Sequence, residues 1–222
     1  MRLIKRLFLV LFLLVAVKVT AVSASEFDHG VWDGLLQDHV QMINQGQASQ
    51  VDYRAFLKKR IELRTYLSKL SAVKTNEFSA WSKPERLAFL INAYNAFTVE
   101  LILTRYPKLD SIKDLGSLFR SPWKNEFIPL LGQMRSLDDV EHGMIRNPGD
   151  YNEPRIHFAV NCASIGCPNL QPKLWNGATL DADRDAAARE FINSPRGVAI
   201  KNGKLKASSI YDWFKDDFGG SK

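Results

Sequence analysis

Between residues 87 and 103 the chain is apolar nearly all round a helical wheel, and such a helix has no face to give to water. It must be buried on most sides, so the rest of the chain has to wrap it. Ser82 and Glu85 form a capping-box pair with Pro84 in the first turn. Tyr106-Pro107 stops the helix, because the residue before a proline avoids the helical region. The spacing predicts a helix over 83–105. Asn92 and Asn95 interrupt its surface, three apart and so neighbours on one face. A buried amide left unpaired costs roughly 1–3 kcal/mol. Both side chains therefore need partners. These are either the backbone of adjoining loops or a cleft in which the amides hold a ligand or orient a catalytic group.

The other elements arrange themselves around this helix. Trp32, Leu35, Leu36, His39, Val40 and Ile43 recur at helical steps, as do Phe56, Leu57, Ile61, Leu63, Tyr66, Leu67 and Leu70. The second half alternates. Residues 127–131 and 134–137 read as a hairpin around Gly132-Gln133, and Ser136 as the cap of a short helix carrying Val140, Glu141, Met144 and Ile145. Asn147 to Asp150 reads as a loop. Residues 155–160 read as a strand, with Ile156, Phe158 and Val160 alternating against Arg155, His157 and Ala159. A helix is predicted over 180–193, a hairpin on Asn202-Gly203 and a last short helix over 210–218. The expected class is α+β, with N-terminal helices packed on a small, mainly antiparallel sheet from the second half. No repeat or low-complexity linker divides the chain, so 25–222 is expected to be one domain.

Residues 1–24 read as a secretory signal. Arg2, Lys5 and Arg6 precede an unbroken apolar run from Leu7 to Val17, and Val22-Ser23-Ala24 supplies the small residues of a cleavage site. The run is shorter than the ~20 residues needed to cross a bilayer, so no stable membrane span is expected once the signal is removed. An uncleaved N-terminal anchor is the alternative. The expected location is periplasmic or secreted. The net charge of +6 is mostly a property of the signal: without its four basic residues the balance is 26 basic to 24 acidic. No clustered basic face remains, which argues against a nucleic-acid partner. The expected partner is instead a small molecule or an envelope peptide.

The candidate chemistry lies at His157, Cys162, Ser164 and Cys167. Loops that follow a rigid element commonly carry catalytic groups. Cys162 as a nucleophile needs a base or cation to form thiolate, and His157 and Arg155 are the nearest in sequence, with Glu141 and His142 to orient or assist. The competing reading is a Cys162–Cys167 disulfide, natural in an oxidising compartment. The four-residue gap between the cysteines and the absence of a second ligand pair argue against a metal site. No cofactor is expected.

Three segments together resemble a known family. They are Phe89-Leu90-Ile91-Asn92-Ala93-Tyr94-Asn95-Ala96-Phe97, then Ser136-Leu137-Asp138-Asp139-Val140-Glu141-His142, then Arg155-Ile156-His157-Phe158-Ala159-Val160-Asn161-Cys162-Ala163-Ser164 with Gly166-Cys167-Pro168. Their order is similar to that of the domain of unknown function 547 (DUF547) family, and Val51-Asp52-Tyr53 and Ile210-Tyr211-Asp212-Trp213-Phe214 fit it as well. The resemblance carries no established activity. It points to Asn92, Tyr94, Asn95, Glu141, His142, Arg155, His157 and Cys162, and it implies a domain that continues past the Trp-Phe segment.

Two functional expectations follow. The first is a cysteine- and histidine-dependent envelope hydrolase or amide-bond transferase. Cys162 would be its nucleophile, His157 its base, Asn92 or Glu141 the orienting group, and Arg155 an anion contact, with Asn95, Tyr94 and His142 beside the substrate. The second is a non-catalytic binding or assembly domain with a structural Cys162–Cys167 bond. A single site requires Asn92 or Asn95, Glu141 and His157 to converge on one concavity, with polar atoms of two of these elements within about 2.6–3.2 Å or one water apart.

Overall fold

The computed structural model describes residues 27–117, 119–146, 151–164 and 166–220. The expected signal, the loop from Asn147 to Asp150 and Ile165 lie outside the described residues. The chain runs α1 (Gly30–His39), β1 (Val40–Ile43), β2 (Ala48–Val51), α2 (Tyr53–Lys58), α3 (Arg60–Ala72), α4 (Thr75–Ala80) and α5 (Lys83–Leu103). Then come β3 (Ile128–Leu130), β4 (Gln133–Arg135), α6 (Leu180–Ile192), β5 (Val198–Lys201), β6 (Lys204–Ala207) and α7 (Ile210–Trp213). Short 3₁₀ turns at Ile112–Leu115, Pro122–Lys124 and Pro154–Phe158, and a π-helical turn at Asp139–Ile145, fill the second half. The class is α+β.

Helix α5 is the axis of the domain, and both arms of its Ser82/Glu85 capping box are formed. It is long and apolar enough to cross a membrane, yet 94% of its apolar window is buried by the protein's own elements, so it is a core helix. Helices α2 and α3 and the π-helical turn pack on it, and α1 lies over α3. Trp32, Phe56, Leu63, Tyr66 and Phe89 fill the space between them.

The strands form three antiparallel ribbons, β1–β2, β3–β4 and β5–β6, and α3 rests on β3. The turn of β5–β6 is Asn202-Gly203, with φ of 52° and 69°, the two positive values that a type I′ hairpin requires. In β3–β4 the turn falls on Leu131-Gly132, one residue earlier than expected, again with both φ positive.

Four elements differ from expectation, and the shortest is the last helix, which spans Ile210–Trp213 where 210–218 was expected. The first helix ends at His39, because Val40 to Ile43 pair with Ala48 to Val51 across a left-handed turn at Asn44, Gln45 and Gly46. Ladder pairing outweighs helical spacing there. The second predicted helix breaks at Lys59 into α2 and α3. The strand expected at 155–160 is a 3₁₀ turn that packs on α6. Pro154 presets its first φ, the Glu153 side chain accepts from the Arg155 N–H, and every residue from Ile156 to Val160 is buried. Alternation of residue types was thus present without alternation of environment.

Candidate functional site

One cavity of about 360 Å³ gathers five of the eight residues singled out above: Tyr94, Glu141, His142, His157 and Cys162. Lys113, Trp123, Asp138, Trp213 and Phe214 complete its charged and aromatic walls, and Ser164, Cys167 and Pro168 form one side. Its size falls within the range of small-molecule sites, roughly 300–1,000 Å³.

His157 is the best-held side chain in it. The ring is 1% exposed and stacks on Phe214, with centroids 3.8 Å apart and planes 19° from parallel. Nε2 donates to Asp217 Oδ2 at 2.6 Å. Asp217 accepts in turn from Arg146 Nε at 2.6 Å and Arg146 Nη2 at 3.1 Å, and the guanidinium lies 4.7 Å from the Phe214 ring centre. A carboxylate only accepts, so the proton sits on Nε2 and Nδ1 is left as a lone pair. Nδ1 is buried without a hydrogen-bond partner among the described residues, 4.0 Å from Glu141 Oε1. Burial lowers the His157 pKa to about 4, against the upward pull of Asp217, so the ring is neutral at neutral pH. The Arg146 hydrogen bond holds Asp217 below the usual carboxylate range.

Glu141 is placed by the π-helical turn. Ser136 Oγ accepts from the Asp139 N–H at 3.1 Å, and the Asp139 carboxylate accepts from Ser136 N and Oγ at 2.7 Å each. Ser136 therefore does start this helix. Glu141 O accepts from Arg146 N five residues on at 2.8 Å, the widened turn that π geometry makes. Burial holds the Glu141 carboxyl above its ordinary pKa, opposed by His142, Tyr94 and Arg146. His142 Nδ1 accepts from Arg146 Nη1 at 2.7 Å. The Tyr94 phenol is fully buried beside Glu141, and burial pushes its pKa up. Its hydroxyl lies against the Glu141 carboxylate in a weak hydrogen-bonding contact that raises the pKa further, although the contact falls outside strict hydrogen-bond geometry. The Trp123 indole N–H is likewise buried without an acceptor among the described residues.

Cys162 and Cys167 are bonded to each other, with Cα atoms 6.0 Å apart. Cys162 therefore carries no free thiol, and the nucleophile of the first expectation is closed. The disulfide loop is also tied from within. Asn161 Nδ2 donates to Pro168 O at 2.7 Å, and Asn161 Oδ1 accepts from Ala163 N at 3.0 Å. Ala163 is held at φ 54°, a left-handed conformation costly for a residue with a Cβ.

Asn92, Asn95 and Arg155 do not join the cavity. Asn92 pairs with the backbone of Trp175, donating to its O at 2.7 Å and accepting from its N at 3.0 Å. Asn95 donates to Ala159 O at 3.0 Å and accepts from Asn161 N at 2.8 Å. Both amides fix loops. Arg155 is occupied by Glu153, Asp181 and Asp185 at 2.6, 2.7 and 2.6 Å. Of the expected convergence only Glu141 and His157 share the cavity, 4.0 Å apart and so beyond hydrogen-bond reach, and neither asparagine joins them.

The sequence reading missed Asp217, Arg146 and Trp123. Asp217 lies 60 residues from His157 near the end of the predicted last helix, where nothing marks it as a histidine partner, and Trp123 sits in a stretch that reads as no element. The only available hint for Asp217 was that a buried histidine requires a partner. Among the described residues, no group of three or more His, Cys, Asp or Glu is arranged to hold a metal ion. No curated protein and no solved structure matches the chain. A family model described as "Protein of unknown function, DUF547" matches residues 78–192, which is more than half of the chain and carries all three resembling segments, and the chain belongs to that family.

Proposed function

We propose that this is an exported envelope domain that binds a small molecule or short peptide in the cavity under the disulfide, with the Cys162–Cys167 bond as a structural tie. One observation carries the reading. His157, Tyr94 and Trp123 line the same cavity, and each carries a buried polar atom, Nδ1, the hydroxyl and the indole N–H, that has no hydrogen bond of good geometry among the described residues. A polar atom buried in that state costs roughly 1–3 kcal/mol, and a folded domain that keeps three around one concavity gains from a ligand that answers them.

The test is thermal unfolding of the purified chain against fractions of an envelope small-molecule extract. A ligand at a hundred times its Kd stabilises by about 2.7 kcal/mol, a shift of several degrees. Fractions that stabilise the wild type but not Tyr94→Phe support the reading. Fractions that stabilise both equally sink it.

The Asp217–His157 pair favours a second reading. A neutral imidazole oriented by a clamped carboxylate, with Glu141 4.0 Å from its lone pair, has the parts of an acid–base site that would take a proton from water without any cysteine. A hydrolytic activity that survives Cys162→Ser/Cys167→Ser and is lost in His157→Gln would favour it over simple binding.

A further inference from the structure

We propose that the cavity recognises an uncharged secondary amide, with its N–H donated to His157 Nδ1 and its carbonyl accepting from the Trp123 indole or the Tyr94 hydroxyl. This rests on the reading that the cavity binds a ligand, and adds the ligand's chemical class.

The argument is one of complementary valence. His157 Nδ1 is an acceptor, because Asp217 takes the ring's proton at the other nitrogen. Trp123 Nε1 is a donor and nothing else. Tyr94 serves as either. A carboxylate or phosphate group offers no hydrogen to His157 and meets Glu141 and Asp138 on the same walls, with Lys113 set against them. A cationic ligand offers no acceptor to Trp123. A group that satisfies both fixed partners must donate at one point and accept at another; a hydroxyl does this through one atom, and the secondary amide does it with donor and acceptor fixed on opposite edges of one rigid plane. The flat indoles of Trp123 and Trp213 suit the planar amide and the carbon atoms that flank it. Trp213 is 67% exposed, so the rim can meet a part of the ligand that remains outside. An amide of this kind occurs in N-acylated sugars and in peptide bonds, and the cavity chemistry is common to both.

The experiment uses the full chain with its disulfide intact and follows the Trp123 indole N–H by ¹H–¹⁵N NMR, assigned among the five tryptophans with Trp123→Phe. The probes are N,N′-diacetylchitobiose, N-acetyl-alanyl-alanine methylamide, maltose, spermidine and citrate. The expected result is a saturable shift of the Trp123 and His157 signals with one or both amide probes. Trp123→Phe and Tyr94→Phe, which keep an aromatic wall and remove one polar hydrogen, should each weaken binding roughly tenfold, the scale of a single hydrogen bond. A response to diacetylchitobiose alone assigns the amide to an acylated sugar, and a response to the peptide alone assigns it to a peptide. Saturable binding of maltose, spermidine or citrate at these signals, with neither amide probe bound, overturns the amide inference and leaves the cavity reading standing. If none of the five probes moves either signal, both are overturned.

Discussion

Helix α5 carries two kinds of buried polar residue within four positions, and they behave oppositely. Asn92 and Asn95 are closed: each pairs its donor and acceptor with one stretch of backbone, fastening the loops at Trp175 and at Ala159–Asn161. Tyr94, between them in sequence, faces the other way with its hydroxyl unanswered in a cavity shared with His157 Nδ1. Burial is the same in both cases, within 2% exposure. A buried polar residue is therefore no sign of a site. The difference lies in whether the protein has already satisfied it.

The sharpest way to break the comparison is to open the closed side. Asn95→Ala removes two hydrogen bonds and strands the Ala159 carbonyl and the Asn161 N–H, the latter part of the disulfide loop's own staple. The expected loss is about 3 kcal/mol by urea unfolding, and Asn92→Ala should behave alike. A loss below about 1 kcal/mol for both would mean that the amides are not staples.

Acid should act mainly through the histidines. His157 falls from an ordinary pKa of 6.5 to about 4 on folding, so between those values the unfolded chain takes up a proton that the folded chain refuses. Its contribution is complete above pH 6.5 and declines as pH falls toward 4, by at most about 1.4 kcal/mol per pH unit. His29, bonded to Tyr66 and also lowered to about 4 by burial, titrates with the same sign. Glu141, raised by burial, has the opposite sign and partly offsets them above pH 4.5. His157→Gln should shallow the acid limb of the stability curve by up to about 3 kcal/mol in total and leave the share of His29. An unchanged acid limb would show that His157 is protonated, or exposed, in solution.

The disulfide closes a short loop, with a sequence separation of five. Chain entropy then assigns it about 2 kcal/mol. Cys162→Ala/Cys167→Ala should lose that amount in unfolding while keeping ligand binding, since the Asn161 bonds remain to hold the loop. Loss of binding with stability intact would make the sulfur part of the site and not its frame.

What could be read from the sequence divides along the same line. Local signals gave the core helix, its capping box, the Asn-Gly hairpin and the Ser136 start, because each depends on residues within a turn of one another. The polar partners were out of reach: Asn92 meets Trp175 at a separation of 83 residues, and His157 meets Asp217 at 60. The segment at His157 looked like a strand because apolar and polar residues alternate there, whereas the fold buries both sets. The sequence named the residues on the cavity wall more readily than the groups that orient them, Asp217 and Arg146.

The smallest expected effect is the most telling. Tyr94→Phe deletes a hydroxyl that is fully buried and has no hydrogen-bond partner within geometric limits. Its removal relieves a desolvation penalty instead of breaking a bond, so stability should stay within about 0.5 kcal/mol of wild type, or rise. The neighbouring Asn95→Ala sits on the same helix at the same depth and should differ from it by about 2 kcal/mol or more. That contrast is the direct measure of a closed network against an open one. If Tyr94→Phe instead costs more than about 1 kcal/mol with no ligand present, the hydroxyl is bonded to Glu141 in solution. The cavity wall would then be a staple of the same kind as the asparagines, and its polar groups would no longer argue for a ligand.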